Sequence, residues 1–443
     1  MRKWIKRALA VVLCLLASWL LIGWLDLLPR ISDVQRAALE RMRAPARDAA
    51  GERNAFELFW LLPYQVPASE RADVLARDFA LLDAMSSTES ERPALVSAGY
   101  PRHIPANAKS LPCGRQPGCL ASVRADPEAV RGRLIAAAPM LTALRELDEY
   151  DHLRLPFRPA LASPLPEFQH TAPLQLSEVA LAFVDGQPDA ALGGLCRDIA
   201  AWRALKGRSD SMIFEMINLG WLQGGAQLYA DLRAELPTDY PLPDSCDAAF
   251  GPPVMAQRQS CDVYRSEFVL GERVLRESTL FGQDEPSTLQ RVGERLLLNR
   301  EATSALSAHH FSTVCDALQR PASDWPTSAP EASAAYREGC GWTGLLFNPM
   351  GCMLRSIAMP TYSDYGLRDR DGEGMLRLLQ LADWLARQPD RERAFDQRPE
   401  AHRQFEQPVS FENGELAIIL LRPRGKETHW RIPLPASRLS AAD

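Results

Sequence analysis

Apolar residues run almost unbroken from position 8 to position 25, interrupted only by Ser18 and Gly23 and stopped by Asp26. At 1.5 Å rise per residue such a run is about 27 Å long, close to the thickness of a bilayer's hydrocarbon core. It predicts one membrane-spanning helix over residues 8–28. Arg2, Lys3, Lys6 and Arg7 stand in front of it, and a cationic flank of this kind stays on the cytoplasmic side. Residues 1–7 are therefore expected in the cytoplasm and everything beyond the anchor in the periplasm, with the inner membrane between them. A cleavable signal peptide would end in small residues. Trp24, Leu25, Asp26, Leu27, Leu28, Pro29 and Arg30 follow instead, so the span reads as retained.

Helical periodicity and punctuation dominate the rest up to about residue 390. Ser32 caps a short helix through Arg43, and Ser69 another to about Met85, with Ala72, Leu75, Ala76, Phe79 and Leu82 on one face. Asp126 and Pro127 open a helix to about Tyr150, kinked at Pro139. Phe56, Leu58, Phe59, Trp60 and Tyr64 form an aromatic cluster at helical spacing, which reads as core. Residues 88–118 form a Pro-, Gly- and Ser-rich loop, and the five prolines between 155 and 173 mark a subdomain boundary. Helices over 174–184, 188–207 and 209–236 follow, joined by turns too short for anything but packing against their neighbours. Further helices are expected over 260–279 and 286–318, where Leu289, Val292, Leu296 and Leu297 make a stripe facing a core. A Pro/Ser loop at 321–330 precedes a last helix over 371–387, buried through Leu376, Leu379, Leu381 and Leu385.

After Pro408 the period changes to that of strands. Residues 409–411, 416–421 and 429–432 are β-rich, and Asn413-Gly414 between the first two is a strong hairpin signal. The fold class is thus mainly α: an irregular helical-hairpin or bundle periplasmic region with a small C-terminal antiparallel β element, preceded by one transmembrane helix. The expected parts are a helical subdomain over 29–155, a second over 174–390, and the β element over 408–435 packed on the helical body. Residues 181–195, with Gly186, Ala191 and Leu195, resemble the turn between the helices of a tetratricopeptide-type repeat. The aromatic and Leu-Gly positions of that pattern are not matched and no second copy follows at the 34-residue period. The resemblance covers about a tenth of the chain and implies no function.

Composition changes this picture in two ways. Without the anchor's four cations and Asp26, 46 basic residues face 55 acidic ones, a net charge of −9. Such a surface is expected to repel nucleic acid and anionic lipid headgroups rather than seek them. Arginine supplies nearly all the positive charge, but it is spread along the whole chain and forms no basic patch. Of nine cysteines, Cys14 lies in the anchor and eight follow it, the even number that disulfide pairing in an oxidising compartment requires. Cys113 with Cys119, across a Gly- and Pro-bearing turn, is the first expected bridge, and Cys315 with Cys340 the second. The absence of C-x-x-C argues against a thioredoxin-like site or a zinc ribbon.

Signatures of chemistry are sparse. The chain has no G-x-S-x-G elbow, S-x-x-K, H-E-x-x-H or P-loop, and Gly372-Glu373-Gly374 lacks the third glycine and preceding strand of a dinucleotide site and reads as a loop leading into a helix. Adjacent His309 and His310 diverge by about 100° on a helix and make a poor metal pair. Asn348-Pro349-Met350-Gly351 and Tyr362, Asp364 and Tyr365 fall in a segment read as turn-rich. These residues point to a membrane-anchored envelope protein, an interaction or assembly module with protein partners, no cofactor and no metal. The alternative is a periplasmic hydrolase or carbohydrate-acting enzyme whose site assembles from Asp364, Tyr362, Tyr365 and His309 or His310.

Overall fold

The computed structural model describes residues 31–44, 51–86, 91–104, 111–114, 117–251, 261–278, 287–318, 340–424 and 427–434, with Trp4, Arg7, Ala10, Val11, Cys14, Ala17 and Ser18. Most of the expected membrane span lies outside these residues, and those of it that are described are helical. Among the described residues no helix is long and apolar enough to cross a membrane. The chain is mainly helical with a three-stranded antiparallel sheet near its end. Its contacts divide it into two units: Met1–Ala46, Glu267–Arg320 and Asp324–Ser363 in one, Arg47–Ser266, Pro321–Ser323 and Asp364–Asp443 in the other.

In the first unit Ser32 opens helix Asp33–Arg43 with a capping box. Its Oγ accepts the Gln35 N–H at 3.3 Å while Gln35 Oε1 accepts the Ser32 N–H at 2.9 Å. At the other end Arg43 forks between Glu272 and Glu301, at 2.5 and 2.9 Å, and Arg41 reaches Asp316 at 2.8 Å. The single helix expected over 286–318 is two, Thr288–Leu297 and Arg300–Leu318. Leu298 is extended between them, and Asn299 Oδ1 accepts the Ala302 N–H at 2.8 Å to start the second. Ser287 opens the first, through a capping box with Gln290. Its stripe does not face a core: Leu289 and Val292 are exposed and Glu294 is buried.

The 348–365 segment is not turn-rich. One helix runs Pro349–Ala386, taking in the Gly372-Glu373-Gly374 stretch and the separate helix expected from 371. Asn348, Pro349 and Gly351 serve its start instead. Pro349 occupies the first helical position, where no N–H is required. The buried Asn348 side chain accepts the Asn299 N–H at 2.9 Å and donates to Thr303 Oγ1 at 3.0 Å. Cys340 is bonded to Cys352 in the first turn of this helix, so the bridge expected between Cys315 and Cys340 does not form. Cys315 is disulfide-bonded elsewhere.

The core of the second unit is aromatic. Phe56 sits within 6 Å of Trp60, Phe79, Phe157 and Phe214, and Phe59 stacks on Trp202, itself stacked on Trp221. Trp60 donates to the fully buried Asp78 at 2.9 Å, whose carboxylate also accepts the Val96 and Ser97 N–H groups. Asp126 caps Pro127–Ala136 through the Ala129 N–H at 3.1 Å. The chain breaks at Ala137 and restarts as Ala138–Leu144, so Pro139 begins a helix rather than kinking one. Glu70, with no side-chain cap, stands at the start of Arg71–Asp83 where Ser69 was expected. Helices Thr171–Val184, Pro188–Lys206 and Met212–Glu235 pack on one another. Cys113 is bonded to Cys119, and Cys196 to Cys246.

The sheet is a meander of β1 (Val409–Glu412), β2 (Glu415–Arg424) and β3 (Glu427–Pro433). Asn413 and Gly414, at φ 54° and 79°, make the two-residue turn between Glu412 and Glu415. Leu416, Ile418 and Ile432 are buried, and Asp371 of the long helix accepts the Leu421 and Arg422 N–H groups at 2.7 and 2.9 Å. A β-carbon at Gly374 would stand 2.6 Å from Ile418 Cδ1 and 2.8 Å from Gln407 Oε1, so this glycine sets how closely helix and sheet approach. Gly374→Ala is expected to lower the unfolding free energy by about 1–3 kcal/mol through overpacking, read from denaturant midpoints. An unchanged midpoint would mean the contact is not tight.

Candidate functional site

Two polar features of the second unit compete for a functional role. The first is buried. Helix Pro188–Lys206 ends with Arg203 and Lys206 pointing inward, and the long helix offers Asp369 and Glu373, one turn apart, to meet them. Lys206 Nζ lies 2.5 Å from Asp369 and 2.9 Å from Glu373, and Arg203 Nη2 lies 2.6 Å from Glu373. Arg203 also donates to the carbonyls of Ala249 and Gly251 at 3.2 and 2.8 Å. Gly372 and Gly374 flank Glu373, and a β-carbon at Gly372 would stand 2.3 Å from Leu219 Cδ1. The glycines that looked like a loop are there because the helix is pressed from both sides while Glu373 reaches the cations.

Burial raises the pKa of Glu373, but Lys206 and Arg203 overcome it and hold the carboxyl at about 2. For Lys206 burial opposes the charge, and Asp369 and Glu373 outweigh it, leaving the ammonium above its ordinary value. Asp369 is raised by burial despite Lys206. Beside these, Glu215 and Asn218 share one face of Met212–Glu235, both buried and with no side-chain hydrogen-bond partner among the described residues. Burial, then Asp369, push the Glu215 carboxyl well above its ordinary value against the pull of Lys206. The buried Tyr264 is raised by the same causes. Two cations and two carboxylates balance one another in a largely buried cluster, where the Asp369 and Glu373 side chains keep 11 and 15% of their exposure. The arrangement works as an internal ionic clamp.

The second feature is an open cleft of about 1150 Å³. Three segments remote in sequence wall it: 238–247 with its prolines, residues 386–392 from the end of the long helix into the start of Arg391–Asp396, and Phe411 and Gly414 of the hairpin. Cys246, bonded to Cys196, fixes the first wall, and Tyr240 donates to Asp189 at 2.5 Å. Asp390 caps Arg391–Asp396 through the Arg393 N–H at 3.0 Å. Five lining carboxylates, Asp239, Asp244, Asp247, Asp390 and Glu392, are all exposed and face two arginines, Arg387 and Arg391. The lining contains no histidine, cysteine, serine or lysine, and its carboxylates make it predominantly negative.

The residues singled out in sequence fall in both units. His310 is buried in Arg300–Leu318, and burial, then Arg355, lower its pKa to about 4. Tyr362 donates to Glu267 at 3.3 Å and packs on Phe311 with ring centroids 4.8 Å apart, both in the first unit. Asp364 and Tyr365 belong to the second unit, where Asp364 pairs with Arg422 at 2.7 Å and Arg368 lies over the Tyr365 ring. Among the described residues no group of three or more His, Cys, Asp or Glu could hold a metal ion. The cleft escaped sequence reading because its walls are about 150 residues apart. Its only local signal is the Pro237, Pro241, Pro243 and Pro389 spacing.

Two pH dependences follow. Glu215 is raised in the folded chain above its unfolded value of about 4.3, so this stabilising term is complete below that value and is lost as pH rises. Glu215→Gln is expected to match the parent near pH 4 and to be the more stable of the two at pH 8. His310 has the opposite sign: its neutral form is buried, so its term is present above pH 6.5 and lost between there and about 4. His310→Gln is expected to flatten that acid slope. Denaturant unfolding at pH 4, 5.5, 7 and 8 checks both, and parallel pH profiles for parent and variants would contradict them.

Comparison with protein-family models, with curated proteins and with solved structures finds no match to this chain.

Proposed function

We propose that the chain is a single-pass inner-membrane protein whose C-terminal bulk lies in the periplasm and serves as a non-enzymatic interaction module of the cell envelope. The acidic cleft is its docking site, and a basic, extended segment of an envelope protein is its partner. The observation that carries this reading is the charge of the cleft: five exposed carboxylates against two arginines in a groove of about 1150 Å³ with Pro-rich walls. A preformed acidic groove attracts cationic segments and fixes their register, chiefly through association rate and specificity. The disulfides support the compartment. All eight cysteines beyond the predicted span are disulfide-bonded, a state that persists in oxidising spaces and is rare in the cytosol.

The test uses full-length protein in lipid nanodiscs. An arginine- and lysine-rich decapeptide is expected to bind with an affinity that falls as salt rises. The triple variant Asp239→Asn, Asp244→Asn, Asp247→Asn should weaken it at least tenfold, about 1.4 kcal/mol. An acidic decapeptide of equal length should not bind. Equal affinity for both peptides, or a triple variant that binds like the parent, would overturn the reading of the cleft. An alkaline-phosphatase-type reporter fused after Asp443 should be active, and an inactive reporter would overturn the location.

A further inference from the structure

Helix Thr288–Leu297 is built inside out. On an ordinary surface helix the apolar stripe faces the core and the charges face water. Here Glu294 is the buried residue, held by Arg300, whose guanidinium also donates to the carbonyls of Leu275 and Ser278 at 2.8 Å each. That inward ionic anchor turns the opposite face outward: Leu289 is 83% exposed and Val292 50%. Arg291 and Arg295 are exposed as well. An apolar face flanked by arginines is the pattern of a helix lying in a membrane interface, where the apolar side enters the acyl boundary and the cations meet anionic headgroups.

A second element of the same unit also exposes apolar side chains. Asn348, at the start of the long helix, bonds to the Asn299 N–H and to Thr303. This holds the junction before Pro349–Ala386 against the end of Thr288–Leu297. Leu345 lies just before that junction, and Met353, Leu354 and Ile357 just after it, at 51, 48, 40 and 71% exposure. Most exposed large apolar side chains among the described residues belong to this first unit.

The same unit carries the predicted membrane span. Only four residues separate position 28 from the start of Asp33–Arg43, at most about 18 Å of extended chain. That helix is tied by Arg43 to Glu301, in the first turn of the helix that directly follows Thr288–Leu297. The inverted helix is therefore tethered within a few nanometres of the bilayer that the span would cross. The chain's net charge of −9 outside the anchor disfavours anionic lipid, but the exposed charges on this helix are both arginines.

We propose that the outward face of Thr288–Leu297, with Leu289 and Val292 at its centre, lies on the periplasmic surface of an anionic lipid bilayer. This rests on the membrane-anchored reading above. The test uses full-length protein carrying Cys14→Ser, reconstituted in vesicles of phosphatidylcholine and phosphatidylglycerol. Single nitroxide labels are placed through Leu289→Cys, Val292→Cys, Arg291→Cys or, on the second unit, Glu128→Cys. Labels at 289 and 292 are expected to collide at least threefold more with oxygen, relative to a water-soluble nickel chelate, than labels at 291 and 128. The difference should shrink in pure phosphatidylcholine. Since Leu289 is 83% exposed, its replacement leaves packing intact, and its profile stands even if Val292→Cys perturbs the helix. Labels at 289 and 292 as chelate-accessible as label 128, in protein that resists alkaline extraction from the vesicles, would overturn the proposal while leaving the anchor in place. Protein released by alkaline extraction would overturn the anchored reading, and the proposal with it.

Discussion

Lys206 held between Asp369 and Glu373 is the contact on which the second unit depends. Taking these charges out of water costs several kcal/mol per ion, which close pairing and extra hydrogen bonds only just return. The ions are therefore poor sources of stability and strong sources of uniqueness, because any other register of the long helix would strand a buried charge. Glu373 can reach Lys206 and Arg203 only because glycines on either side let the helix approach Leu219 and Ile418. Once that register is fixed, Asp371 meets the sheet and the helix end at Ala386 stands where it forms one wall of the cleft. A motif that looks like a fragment of a nucleotide loop is thus a point of close helix packing.

The two units solve different problems. The second buries an aromatic core, fastens its loops with Cys113–Cys119 and Cys196–Cys246, and presents an acidic groove to solvent. The first spends its polar contacts inward, through Glu294, Arg300, Asn299 and Asn348, and leaves apolar side chains outside.

Much of the local structure was legible in sequence because its causes are local. Ser32 with Gln35, Asp126 before Pro127, and Asn413-Gly414 each act within a few residues, and each marks the element it predicts. Signals failed where distant contacts outweigh local preference. Asn348, Pro349, Gly351, Gly372 and Gly374 all favour turns in isolation, yet a 38-residue helix carries all but Asn348, pinned at its front by Cys340–Cys352 and Asn348 and further along by the ion cluster. The period of Leu289 and Val292 correctly gave a helix and an apolar face, but period alone does not say which way the face turns. That depends on Arg300 and its inward hold on Glu294. The cleft left almost no trace because none of its three walls is a motif.

The central physical claim is that the Lys206–Glu373 contact fixes the long helix and everything mounted on its second half. A double-mutant cycle with Lys206→Met and Glu373→Gln, read as unfolding free energies, tests it most directly. Each single substitution should cost about 3–5 kcal/mol by stranding buried charge, and the double substitution should cost less than the sum by a coupling energy of about 1–3 kcal/mol. Additive losses with no coupling would show that the two side chains act independently and that the clamp is not what holds the helix.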